Sequence, residues 1–316
     1  MLLSVTLILI GFVFLIASAN LLVDGSSGVA KKFHIPEIII GLTIVSIGTS
    51  MPELFVSVTS AIDGHSDMAI GNIIGSNLCN LLLILGLSAI IKPVIFQKET
   101  RIYEIPMCLF FTIILAIFCN TQNGISRPEA IILLLLFGAF LGYTIYMGKK
   151  ESKEELIEIN TKENRENNTI KNIFFIILGI IGLKVGGDLV VNYSVNIANY
   201  FSISEKIIGL TILAVGTSLP ELITSVTAAV KGNSDIAIGN IIGSNIFNIL
   251  LIIGVSSAIT PITYNITYNF DLTILVLSTI ILALFPFIPP KEKMSRANGI
   301  IYFLMYIAYI AILMVK

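Results

Sequence analysis

The chain has 316 residues, 55% of them hydrophobic and 12% charged, with a mean hydropathy of +0.94 and a net charge of −1. Soluble domains carry about a quarter charged residues, so a water-soluble enzyme is excluded, and the apolar content excludes a disordered chain. The near-neutral balance offers nothing to a nucleic acid. What remains is a polytopic membrane protein.

A spanning helix needs about 20 mostly apolar residues. Ten such stretches follow one another, at 2–23, 37–61, 68–91, 103–119, 128–148, 172–196, 205–230, 236–259, 270–288 and 297–315. The first contains Ala17-Ser18-Ala19, which resembles a leader cleavage site. It lacks a basic segment before it and has a counterpart at 172–196, so it reads as a helix. His34 and His65 fall in predicted loops without ligand spacing and read as surface residues. Asp67 and Asp235 start helices, where capping is the expected role. Cys79, Cys108 and Cys119 lie in apolar runs without CxxC spacing and read as packing. Residues 149–171 form the one long polar stretch, a solvated linker with no assigned fold. Lys184 and Asp188 stand four apart in the sixth span and read as a local structural pair. Tyr103, Tyr146, Tyr200 and Tyr264 sit near span ends, as an interfacial belt should.

Fifteen of the nineteen Lys and Arg residues collect on the side reached after an odd number of spans, three lie opposite, and Lys184 lies within a span. The positive-inside rule puts the basic side, with 149–171, in the cytoplasm and both termini outside.

The sequence also repeats itself. Shifted by 168 residues, 41–93 falls on 209–261 with 34 identities over 53 positions and no gap. The matches include Thr, Ser, Pro, Glu, Asp, Asn and Gly, which shared hydrophobicity does not produce. The expected fold is therefore all-α, with ten transmembrane helices as two five-helix halves. These are 1–148, carrying the repeat at 41–93, and 172–316, carrying the repeat at 209–261, joined by 149–171. Five is odd, so the second half enters the bilayer from the opposite face and the repeats are inverted. Inverted repeats with broken helices are a secondary-transporter architecture, with the site at mid-membrane.

Two segments put polar groups where lipid forbids them. Gly48-Thr49-Ser50-Met51-Pro52-Glu53 and Gly216-Thr217-Ser218-Leu219-Pro220-Glu221 interrupt apolar helices near their middles. Proline has no N–H, so carbonyls one turn earlier lose their helical donor, which is tolerable only against protein or a polar cavity. Glu53 stands three and four residues after Ser50 and Thr49, which predicts a shared face. The next helix of each half carries Ser76 with Asn80, or Ser244 with Asn248, again four apart. Gly71/Gly75 and Gly239/Gly243 have the spacing of close helix contacts. An isolated carboxylate at the bilayer centre costs about 3 kcal/mol. Two of them, without Lys or Arg in either repeat core, call for cations. The ligand set is entirely oxygen, which selects hard ions such as Ca²⁺ or Na⁺ over zinc or copper. No HExxH, GxSxG or phosphate-loop pattern occurs, so no enzyme and no cofactor is expected beyond transported ions, and no protein partner is evident.

At the paired GTS-x-PE and GSN-xx-N segments the chain resembles the Na⁺/Ca²⁺ exchangers of the cation/Ca²⁺ antiporter superfamily, especially the prokaryotic members. The resemblance implies Na⁺/Ca²⁺ antiport without ATP hydrolysis. It also implies a site built on Glu53 and Glu221, with oxygens from Thr49, Ser50, Thr217, Ser218, Ser76, Asn80, Ser244 and Asn248. Carbonyls of Ser46 and Ala214 are implied as Na⁺ ligands, and the first and sixth helices as the sliding elements. Several branches have Asp at the position of Asn248, so this site is less acidic. Ca²⁺/H⁺ or K⁺-coupled exchange, and a passive cation channel, are the alternative readings.

Overall fold

The computed structural model describes residues 2–121, 124–158, 169–201, 214–289 and 291–315. Among the described residues the fold is helical, apart from four two-residue strands. Among the described residues, eight helices are long and apolar enough to cross a membrane, or nine when one bent pair counts as a span. In chain order the helices are α1 (Leu2–Phe33), α2 (Glu37–Thr49), α3 (Met51–Ile62), α4 (Ser66–Ile91), α5 (Thr100–Asn120) and α6 (Arg127–Glu158). They continue with α7 (Thr169–Tyr200), α8 (Ala214–Thr217), α9 (Leu219–Lys231), α10 (Ser234–Ile259), α11 (Ile266–Phe287) and α12 (Arg296–Val315). The start of the expected span 205–230 lies outside the described residues.

The helices α4 and α10 are the centre of the molecule: 83% and 94% of their most apolar windows are buried, against 22–44% for the other spans. The peripheral helices turn the remainder outward, as Leu3, Leu135, Phe110 and Leu304 do, which is where lipid accepts them. Two buried apolar clusters divide the interior. The larger joins α4, α5, α6, α10, α11 and α12. The smaller is built by Leu15, Ala19 and Leu22 of α1 and Ile176, Leu183 and Val190 of α7, packed on Ala228 and Ala229 of α9.

Glycine allows two of these contacts. A Cβ on Gly239 would stand 2.6 Å from the Ile38 carbonyl oxygen, and one on Gly243 would stand 2.8 Å from Leu42 Cα, so α2 lies directly on α10. The same holds between α1 and α7, where a Cβ on Gly179 would meet Leu22 backbone at 2.8 Å and one on Gly186 the Gly11 carbonyl oxygen at 2.9 Å.

Several expectations are corrected. The helix α1 runs ten residues past the expected end at 23, because Gly25 lets it stay packed on Asn172 and Phe175 of α7. The expected linker is helical through Glu158, in keeping with its Lys and Glu content, and its residues 159–168 lie outside the description. Asp67 and Asp235 do not cap. The N-cap positions are His65 and Asn233, and both aspartates occupy first turns, where a carboxylate meets the positive end of the helix dipole. Tyr103, Tyr146 and Tyr200 are exposed, whereas Tyr264 is buried and donates to Asn269 Oδ1 at 2.8 Å.

The strands, which composition did not announce, tie the halves together. Strands β1 (Val94–Ile95) and β4 (Lys293–Met294) pair antiparallel, as do β2 (Gly124–Ile125) and β3 (Ile262–Thr263). Each ladder joins a loop of one half to a loop of the other.

Candidate cation site

The backbone breaks where the proline motifs fall. Ser50 has φ −86° and ψ 10°, and Ser218 has φ −87° and ψ 7°, neither of which continues a helix. The bend between α2 and α3 is 50°. Pro52 and Pro220 sit in the first turns of α3 and α9, where a missing N–H costs least. Glu53 and Glu221 follow directly, at helix N-termini whose dipoles favour a negative charge.

The break falls between Glu53 and the preceding Thr49 and Ser50, and the hydroxyls of these segments bond across to the other repeat. Ser50 Oγ donates to Glu221 Oε1 at 2.7 Å, and Ser218 Oγ approaches Glu53 Oε1 at 3.4 Å. Thr49 Oγ1 donates to Asn240 Oδ1 at 3.0 Å, and Thr217 Oγ1 to Asn72 Oδ1 at 3.5 Å. Asn72 and Asn240 in turn donate to Ser57 Oγ and Ser225 Oγ, both at 2.9 Å, and reach the Glu53 and Glu221 carbonyls at 3.4 and 3.5 Å.

A second crossing lies on α4 and α10. Asn80 Nδ2 donates to Asn245 Oδ1 at 3.0 Å, and Asn248 Nδ2 to Asn77 Oδ1 at 2.9 Å. Asn77 and Asn245 also donate to each other's carbonyls, at 3.4 and 3.3 Å. Asn80 and Asn248 stand in π-helical turns at Cys79–Ile84 and Asn248–Ile252, an irregularity common at functional positions.

These bonds use the amide N–H groups and leave oxygens over. Glu53 Oε2, Glu221 Oε2, Asn80 Oδ1, Asn248 Oδ1, Ser76 Oγ and Ser244 Oγ are all buried without a protein partner. All six residues are 1% exposed or less. Buried orphan acceptors are costly, and six of them in three matched pairs form an oxygen set with an affinity for a hard cation. Ser46 is buried, and its carbonyl accepts from Ser50 N at 3.0 Å. Ala214 is the first residue of α8.

The supporting residues Asn72, Asn240, Asn77, Asn245, Ser57 and Ser225 were not among the candidates. Their signal was present: each is a polar residue identical in both copies of the repeat. The isolated ionisable groups behave as expected. Lys184 Nζ pairs with Asp188 Oδ2 at 3.0 Å, and the three thiols are free and buried.

Comparison with known proteins places the chain in a family. The profile of the sodium/calcium exchanger protein family matches residues 3–146 and 171–315, the two halves separately. The sodium/calcium exchanger MaX1 of Methanosarcina acetivorans is 32% identical, over 97% of this chain and 97% of its own length. The inner membrane protein YrbG of Escherichia coli is 37% identical over 90% and 89%. A solved structure of the sodium-calcium exchanger NCX_Mj, soaked with Na⁺ and Ca²⁺, superposes with a TM-score of 0.85 at 34% identity, covering 98% of both chains. The chain belongs to the sodium/calcium exchanger family.

Proposed function

We propose that this chain exchanges Na⁺ for Ca²⁺ across the membrane by alternating access, with the cations held between Glu53 and Glu221. The observation that carries the reading is the set of six buried, unpartnered oxygens on two broken helices and their neighbours. The proposed ligands are Glu53 and Glu221, with Thr49, Ser50, Ser76 and Asn80 from one half and Thr217, Ser218, Ser244 and Asn248 from the other. Carbonyls of Ser46 and Ala214 extend the set for Na⁺. Two carboxylates offset one Ca²⁺, and several Na⁺ in the same space leave a positive excess, so the cycle moves charge.

The architecture in this reading is ten helices in two inverted halves, 1–148 and 172–316, joined by 149–171. Its support is reciprocity. The cross-half bonds among Thr49, Ser50, Glu53, Asn72, Asn77 and Asn80 and their counterparts come in pairs with the halves exchanged, and Asn77 and Asn245, 168 residues apart, donate to each other's carbonyls as residues about a two-fold axis must. Movement of α1 and α7 as a pair is supported by their close contact at Gly11, Gly25, Gly179 and Gly186.

The test is ⁴⁵Ca²⁺ uptake into Na⁺-loaded proteoliposomes diluted into Na⁺-free buffer. Uptake should require internal Na⁺ and accelerate when the interior is made positive, because more than two Na⁺ leaving per Ca²⁺ carries charge outward. Uptake indifferent to Na⁺ but driven by an outward proton gradient would replace this reading with Ca²⁺/H⁺ exchange. Orientation is tested by cysteine labelling in intact cells. A cysteine at position 155 should be shielded from an impermeant reagent, and one at 316 should react. The reverse pattern would invert the topology.

A further inference from the structure

One face of α7 looks at both helix breaks. A Cβ on Gly48 would meet Ile180 at 2.6 Å, one on Gly187 would meet Pro220 at 3.9 Å, and one on Gly216 would meet Val191 at 2.3 Å. Residues 180, 184, 187 and 191 share that face by their spacing. Lys184 is therefore placed between the contact to Gly48 and the contact to Pro220, at the depth of the two broken helices. Here α3, α7, α8 and α9 leave a cavity of about 450 Å³, lined by Pro52, Phe55, Val56, Lys184, Asp188, Thr217 and Pro220 among others. Pro52 and Pro220 immediately precede Glu53 and Glu221, so the cavity borders the two turns that carry the candidate carboxylates. Among its described lining residues Lys184 and Asp188 alone are ionisable. Their bond is 3.0 Å long, and both side chains are about half exposed, at 51% and 57%.

The corresponding face of α1 is different. Ile16 and Asn20 stand where α7 has Lys184 and Asp188, and Asn20 spends its amide on the Ile16 carbonyl at 2.8 Å. On that side Ile16 is 52% exposed, and one turn beyond Asn20 the Asp24 carboxylate is held by Lys231 Nζ at 2.7 Å. The two approaches to a near-symmetric site thus carry different charged pairs, Lys184 with Asp188 one turn apart on α7 and Asp24 of α1 with Lys231 of α9.

We infer that Asp188 attracts cations into the approach on the α7 side and that Lys184 is its resident competitor, displaced by the arriving ion. Together they set the apparent affinity of that membrane face independently of the other. The inference rests on the exchange reading above. A carboxylate in a confined, partly solvated cavity concentrates cations along the path, and a fixed ammonium beside it opposes them. A helix-bracing pair would have no preference between faces.

The test measures half-saturating Ca²⁺ for Na⁺-driven flux at each face, using right-side-out and inverted membrane vesicles. Lys184→Ile and Asp188→Asn install the residues of the first half. Asp188→Asn should raise half-saturation about threefold to tenfold on one face only, and Lys184→Ile should lower it by a similar factor. Both shifts should shrink as choline chloride is added, since mobile ions screen partly solvated charges. The double variant should return close to wild type, because the opposed charges leave together. Unshifted single variants, equal shifts at both faces, or a double variant worse than either single would overturn the inference in favour of a bracing role. Wild-type flux is the reference arm, and its absence would strike the exchange reading itself.

Discussion

Glu53→Gln and Glu221→Gln should each abolish Ca²⁺ transport while leaving a folded, monodisperse protein. Glutamine keeps the shape and an oxygen to accept from Ser218 or Ser50, so the cross-half bonds survive. Only the charge is lost. Breaking a buried charge pair costs on the order of 3–5 kcal/mol, here the pair of carboxylate and bound cation. That is more than about a hundredfold in affinity. The protein without ions loses nothing comparable, since an unpaired buried carboxylate is itself a liability. Ser50→Ala sets the scale: it removes a hydrogen bond to a charged group, about 1.5–3 kcal/mol, and should weaken Ca²⁺ dependence without eliminating flux. Uptake and size-exclusion profiles of the three variants check this. Normal exchange in both glutamine variants would remove the carboxylates from the ion path.

Gly243→Val should be the most damaging change outside the oxygen set. Its Cβ would lie 2.7 Å from Ser46 Oγ and 2.8 Å from both Leu42 Cα and the Leu42 carbonyl oxygen. Backbone cannot rotate away, so α2 must retreat from α10, taking Thr49 and Ser50 with it. Overpacking alone costs about 1–3 kcal/mol, and here it also opens the Ser50–Glu221 contact of 2.7 Å. The expected result is a lowered melting temperature in detergent and no Ca²⁺ flux from what remains folded. Gly138→Val is the control, because no described atom lies within 4 Å of its would-be Cβ. A Gly243→Val protein with wild-type melting and flux would show that the close approach of α2 and α10 is dispensable.

The oxygen-bearing positions were legible because the chain states them twice. Random apolar sequence does not place Thr, Ser, Pro and Glu at one offset in two copies, so Glu53 and Glu221 stood out from spacing alone. Their partners were less legible. Helical periodicity put Ser50 near Glu53, but it carried no sign that the Ser50 hydroxyl bonds Glu221 of the other repeat. Contacts across 171 residues have no local signature. Asn72 and Asn240 went unread because a mid-helix asparagine looks like helix glue until its bonds to Ser57, Ser225 and the glutamate carbonyls are seen.

The boundaries of α1 and α6 were missed for a related reason. A hydropathy window ends where charges begin, while the helix continues as long as its backbone bonds and one packed face persist. The two-residue ladders β1–β4 and β2–β3 are too short to imprint a period on the sequence. Lys184 and Asp188 read as an ordinary i,i+4 pair, and only the cavity around them gives their position meaning.

The most direct test of the account is to locate the cation. Crystals equilibrated with Ca²⁺, or with Sr²⁺ for a stronger signal, should give an anomalous difference peak between Glu53 and Glu221. The peak should lie about 2.3–2.6 Å from their carboxylate oxygens, as Ca²⁺ coordination requires, and should disappear in Glu53→Gln crystals. A peak elsewhere with the space between the two glutamates empty, or none at saturating Ca²⁺, would contradict the site proposed for this exchanger.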